Sequence, residues 1–117
     1  MSEAIYHITT GAAWAAARAA GSYAADSLAE AGFIHCSRAG QVVRVADDFY
    51  AGRQDLVLLV IDPGRLTPEL RWEPGTDHAE ELFPHVYGPI DLAAVREALP
   101  FAPGPDGRFS LPDSLPL

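Results

Sequence analysis

The chain has 117 residues, 49% of them hydrophobic, enough for one compact domain and too few for two. Its formal charge is −8, and all eight basic residues are arginine. An acidic surface repels phosphodiester chains, so extended RNA or DNA is not expected as a partner, although one or two arginines in a pocket suffice for a dinucleotide. No apolar run reaches the roughly 20 residues of a spanning helix, and Met1-Ser2-Glu3 does not begin a signal peptide, so no membrane association and a cytoplasmic location are expected. Cys36 is the only cysteine, which excludes an internal disulfide and a thiolate zinc cluster.

Ala4 to Thr9 alternates as a first strand, with Ile5, His7 and Thr9 on one face and Tyr6 and Ile8 on the other. Thr9 or Thr10 can cap the following helix, which carries Ala13, Trp14, Ala17 and Arg18 and stops at Gly21. Gly21-Ser22-Tyr23 reads as a loop. Asp26-Ser27 is a cap for a short helix over Leu28 to Ala31, and Gly32 ends it.

The next run, Gly32-Phe33-Ile34-His35-Cys36-Ser37, sets an imidazole and a hydroxyl into apolar sequence. As a strand it places Phe33, His35 and Ser37 on one face and Ile34 and Cys36 on the other. The plain reading is a histidine satisfied by a backbone carbonyl and a serine capping the next helix; the alternative is a ligand site. Neighbours on a strand face apart, so His35 does not serve the Cys36 thiol, and Cys36 reads as core.

Val42, Val45, Ala46 and Phe49 give an amphipathic helix over Gln41 to Tyr50. Asp55 to Asp62 is a central strand buried on both faces, ended by Pro63-Gly64. Leu70 to Glu73 alternates as a further strand, and Gly75 to Leu82 is an acidic loop. Phe83-Pro84-His85-Val86-Tyr87-Gly88-Pro89-Ile90 carries too much proline and glycine for a long strand, yet its aromatic and branched residues imply that it folds back on the body. Asp91 then caps an expected helix with Leu92, Val95, Ala98 and Leu99 on one face. Beyond Pro100 a proline-rich extension is pinned by Phe109, Leu111 and Leu115.

No G-x-G-x-x-G or Walker loop is present, which excludes ordinary dinucleotide and P-loop folds. Asp77, His78, Glu80, Glu81 and His85 cluster in sequence, but without the i, i+4 histidine pair of a helical zinc site; a solvated acidic loop and no bound metal are expected. Glu73, closing a strand beside a loop, is either solvated or an acid/base.

Tyr6-His7-Ile8-Thr9, Trp14, Gly21-Ser22-Tyr23, Gly32 to Ser37, Gln41-Val42, Asp55 to Leu59, Leu70-Arg71-Trp72-Glu73 and Phe83 to Pro89 together resemble the small bacterial DUF952 family. That family's fold is similar to the ADP-ribosyltransferases, and its pattern is nearest to the RNA 2'-phosphotransferases. Within that resemblance, His7 corresponds to the first-strand His-Gly-Thr motif and His35 to the Ile-His motif of the second. Ile8 stands where the motif has glycine, and the resemblance assigns no glutamate to the third catalytic position, although Glu73 is acidic and in a strand.

The resemblance implies a single α+β domain over residues 1–117, its core at 4–100 and the extension at 101–117, with a split mixed/antiparallel sheet, flanking helices and an ADP-ribosyltransferase-like cleft. It implies a small nucleotide ligand, NAD as cofactor, and His7, His35 and His85 as catalytic residues. Ser37, Tyr87, Trp14, Arg71 and Glu73 are the expected ligand contacts, with Tyr87 or Trp14 stacking on the ring. The alternatives are a non-catalytic nucleotide- or peptide-binding module and a metal-dependent hydrolase using His78 and His85.

Overall fold

The computed structural model describes residues 3–75 and 79–112. Its frame is a three-stranded antiparallel sheet of β1 (Ile5–Thr10), β4 (Leu56–Ile61) and β8 (Val95–Phe101), with β4 in the centre. A second sheet joins β3 (Ile34–His35), β6 (Leu82–Val86) and β5 (Leu70–Pro74), and β2 (Ser22–Tyr23) pairs with β7 (Ile90–Asp91). Three helices flank them: α1 (Gly11–Ala20), α2 (Asp26–Ala31) and α3 (Ala39–Phe49). Every strand pair among the described residues is antiparallel, so the expected mixed component is not found there.

The first sheet separates two cores, as alternation along β1 and β4 requires. Ile5, Leu59 and Ile61 pack with Ala17, Tyr23, Ile34 and Val86 on one side. Tyr6, Ile8, Leu56, Leu58 and Val60 pack with Val42 and Ala46 of α3 on the other. Phe101 and Phe109 close that second core with ring centroids 4.9 Å apart, and Asp47 Oδ1 accepts the Phe109 backbone N–H at 2.9 Å. The proline-rich segment is therefore pinned through Phe109, as the sequence suggested; Leu115 lies outside the described residues.

Local signals place the helices well. Thr10 Oγ1 accepts the Ala13 N–H at 3.0 Å, and Gly21 ends α1 at φ 94°, a conformation that favours glycine. Helix α2 begins earlier than expected, at Asp26, after Ala25 and without a side-chain cap. Helix α3 also starts earlier, with Arg38 rather than Ser37 at the N-cap; Gln41 Oε1 accepts the Arg38 N–H at 2.9 Å.

The helix expected after Asp91 is instead a 3-10 turn (Leu92–Ala94) leading into β8. A bulge explains the misreading. Opposite β4, Val95 pairs with Ile61 but Glu97 with Val60 and Ala98 with Leu59, so Arg96 is an extra residue. The insertion puts Val95 and Ala98 on one face at a spacing of three, which imitates a helical period.

The segment after Gly32 is likewise not one long strand. Cys36 N–H donates to Pro84 C=O at 3.0 Å, keeping Ile34 to Cys36 beside β6. One residue later, Ser37 N–H donates to Tyr6 C=O at 2.8 Å, and Tyr6 N–H to Ser37 C=O at 2.7 Å. This single bridge is the seam between the two larger sheets. Beyond it toward Thr10 they part, and a cleft opens.

Candidate functional site

The cleft has a volume of about 350 Å³, near the lower end of the roughly 300–1,000 Å³ typical of small-molecule sites. One wall is the free edge of β1. Because Tyr6 exchanges its backbone bonds with Ser37, its N–H and C=O face away from β4, and alternation turns those of Ile8 the same way. Ile8 lines the cleft, and its N–H and C=O bond to no described residue. An unpaired donor and acceptor side by side on a strand edge are equipped to read another planar amide.

His7 lies at the back of this wall. Its Nδ1 is 2.6 Å from His35 C=O, and its Nε2 is 2.8 Å from the Tyr23 hydroxyl, which is 2.9 Å from Thr9 Oγ1. Burial lowers the His7 pKa to about 4, outweighing the carbonyl bond that favours the charged form, so at neutral pH the ring is neutral. A carbonyl only accepts, which fixes the proton on Nδ1; Nε2 then accepts from Tyr23, and the Tyr23 oxygen accepts from Thr9. Protonation of His7 would make Nε2 a donor and reverse the hydroxyl chain. At neutral pH the Thr9 lone pairs are left for other donors in the cleft.

His35 and Ser37 line the same cleft. The His35 backbone is held by His7, while its ring is exposed and meets Phe33 at 4.7 Å and His85 at 5.4 Å between centroids. Partial desolvation, then the neighbouring His85, lowers the His35 pKa. Tyr50 and Val45 of the α3 region, with Ala13 and Ala25, supply apolar surface.

His85 belongs to a second group behind His35. Phe33 stacks on its ring at 4.1 Å and 19°, and its Nδ1–H donates to Glu73 Oε1 at 2.9 Å. The same oxygen accepts the Tyr87 hydroxyl at 2.5 Å. Those two bonds, Tyr87 first, hold the Glu73 carboxyl below the usual carboxylate range, and Glu73 in turn raises Tyr87. Arg71 lies over the Tyr87 ring at 4.5 Å and gives its Nε and Nη2 hydrogens to Glu69.

The sequence-predicted residues therefore divide. His7, His35 and Ser37 meet at the cleft. His85, Glu73, Tyr87 and Arg71 form the adjoining group and do not line it, and Trp14 packs against the first core. Among the described residues, only His35 both lines the cleft and meets the second group, through its ring contacts with Phe33 and His85. Cys36 is buried, and burial raises its thiol pKa, as expected for a core residue. Asp77 and His78 lie outside the described residues; among the rest, no three His, Cys, Asp or Glu side chains are grouped to hold a metal. No described helix is long and apolar enough to cross a membrane.

Sequence reasoning missed Tyr23, assigned to a loop, and Phe33 as the cover of His85. It had put Thr9 on the His7 face but offered it only as a helix cap, a role that Thr10 takes. A tyrosine beside a helix-stopping glycine was the available signal for Tyr23, but its hydroxyl reaches His7 only through the β2–β7 pairing that fixes its backbone.

Comparison with known proteins agrees with this architecture. The crystal structure of CC0527 from Caulobacter crescentus is 34% identical, covers 92% of this chain and 93% of its own, and superposes with a TM-score of 0.78. The solution NMR structure of the same protein gives 33% identity, 96% coverage of both chains and a TM-score of 0.80. No curated protein matches the chain. Residues 8–98 match the family described as "Protein of unknown function (DUF952)". With that match over most of its length, and a relative one-third identical along nearly all of it, the chain belongs to the DUF952 family.

Proposed function

We propose that the cleft is an ADP-ribosyltransferase-like site that binds the nicotinamide–ribose end of NAD. The observation that carries this reading is the open β1 edge at Ile8, with the locked His7–Tyr23–Thr9 chain beside it. The Ile8 N–H would donate to a carboxamide oxygen and its C=O accept from the amide nitrogen. That contact uses backbone alone, so it tolerates isoleucine where the related motif has glycine. Thr9 and Ser37 are placed to bond ribose hydroxyls, and Tyr50 to cover the ring. Bound NAD would supply a ribosyl group activated by its nicotinamide leaving group; the protein's part is to orient the ribose and exclude water.

A non-catalytic nucleotide-binding module on the same cleft is the second reading. It is favoured by Glu73, whose Oε1 is occupied by His85 and Tyr87 and which does not line the cleft. Titration of NAD into labelled protein tests the site: shifts at Ile8, Thr9, Tyr23 and His35 are expected, and none at millimolar ligand would overturn the proposal. Chromatography of the same mixture separates the readings, because only the enzyme releases nicotinamide.

A further inference from the structure

We infer that the cleft selects a phosphate-free, uncharged or cationic nucleoside-type ligand, so that the phosphates of a nucleotide oppose binding there. This deepens the proposed function and rests on its assignment of the cleft. Affinity for phosphate normally comes from arginine or lysine forks or from free helix N-terminal amides; no arginine or lysine lines this cleft, and the uncapped helix start on it, that of the six-residue α2, carries its own carboxylate, Asp26.

None of the eight arginines lines the cleft, and the chain has no lysine. Arg44, Arg53, Arg65 and Arg71 are each held by a carboxylate. Arg38, although next to Ser37 in sequence, is not part of the lining. The start of α1 borders the cleft, but the Gly11 N–H is taken by Asp55 C=O at 2.9 Å and the Ala13 N–H by Thr10 Oγ1 at 3.0 Å. Both histidines of the lining have lowered pKa values, so neither contributes a cation at neutral pH.

Among the described residues, the one charged side chain on the lining is a carboxylate, Asp26, exposed at the start of α2. A phosphate at the cleft would meet Asp26 with no compensating charge, in a molecule of net charge −8. The remaining polar equipment is hydroxyls, the two imidazoles, the start of α2 and a strand edge, which suits a sugar and a carboxamide.

The test is calorimetric titration of the full chain with nicotinamide riboside, nicotinamide mononucleotide, NAD and ADP-ribose, at low and high salt. The riboside is expected to bind about threefold more tightly than the mononucleotide at low salt, the gap closing as salt screens Asp26. It should bind at least as tightly as NAD, and ADP-ribose should be the weakest. Tighter binding of the mononucleotide, NAD or ADP-ribose than of the riboside overturns this inference while leaving the nucleotide reading in place. No binding by any of the four overturns both. In Asp26→Arg the mononucleotide should overtake the riboside, since the substitution puts a cation at an exposed position that nothing else occupies; an unchanged order overturns the inference.

Discussion

His7 and His85 use the same nitrogen in opposite ways. Each gives its Nδ1 hydrogen away, but His7 donates to a backbone carbonyl and His85 to a carboxylate. A carbonyl fixes the tautomer of a buried ring without favouring its charge strongly enough to offset burial, so His7 stays neutral down to about pH 4. His85 instead shares its acceptor, Glu73 Oε1, with the Tyr87 hydroxyl, so its bond organises a side-chain cluster rather than the cleft wall. Two histidines on neighbouring sheets are thus prepared for different tasks: His7 to hold geometry in the cleft, His85 to anchor Glu73 and Tyr87 beneath Phe33.

The sharpest way to break the contrast is acid. The unfolded His7 takes up a proton near pH 6.5 while the folded one waits until about 4, so the unfolded state binds more protons in that window. Stability should therefore fall as the pH drops from about 6.5 to 4, by up to roughly 3 kcal/mol from this residue. Urea unfolding across that range should show the slope, and His7→Gln should flatten it. An unchanged slope in the variant would assign acid sensitivity elsewhere.

Tyr23→Phe comes next. It strips the hydroxyl from between His7 Nε2 and Thr9 Oγ1 and should cost about 1–3 kcal/mol in urea unfolding, because two buried polar groups lose their partner. Thr9→Val should cost less, as Tyr23 still donates to His7.

Phe33→Ala addresses the other member of the pair. Loss of the stacked ring should destabilise by about 1 kcal/mol beyond the lost area. It should also move the imidazole resonances of His85 and His35 while leaving His7 unchanged; a shift at His7 would mean that the two groups are coupled more tightly than their separate partners indicate.

Glu73→Gln is the mildest change. With the carboxylate gone, Tyr87 should titrate at a lower pH than in the parent chain, read by its ultraviolet absorbance, with little effect on stability because Glu73 is partly solvated.

The sequence by itself determined what neighbouring residues decide. Alternation put His7 and Thr9 on one face of β1, the apolar run at Leu56–Ile61 made the central strand, and Thr10 and Gly21 bounded α1. Those are short-range consequences of strand and helix periods and of capping chemistry. Where two periods gave the same pattern the local signal misled, as at the bulge that sets Val95 and Ala98 three apart on one face of β8.

Tertiary structure decided the partners. Ser37 left the β6 side to bridge Tyr6, Tyr23 came to His7 from 16 residues away, and Glu69 took the Arg71 guanidinium that the sequence had offered to a ligand. Hydrogen bonds and charges pair by proximity in space, and spacing along the chain sets no such proximity between segments on different sheets. That is why the histidines were legible as residues of interest, while the division of the site into an arginine-free cleft and a separate Glu73–His85–Tyr87 group emerged only from the fold.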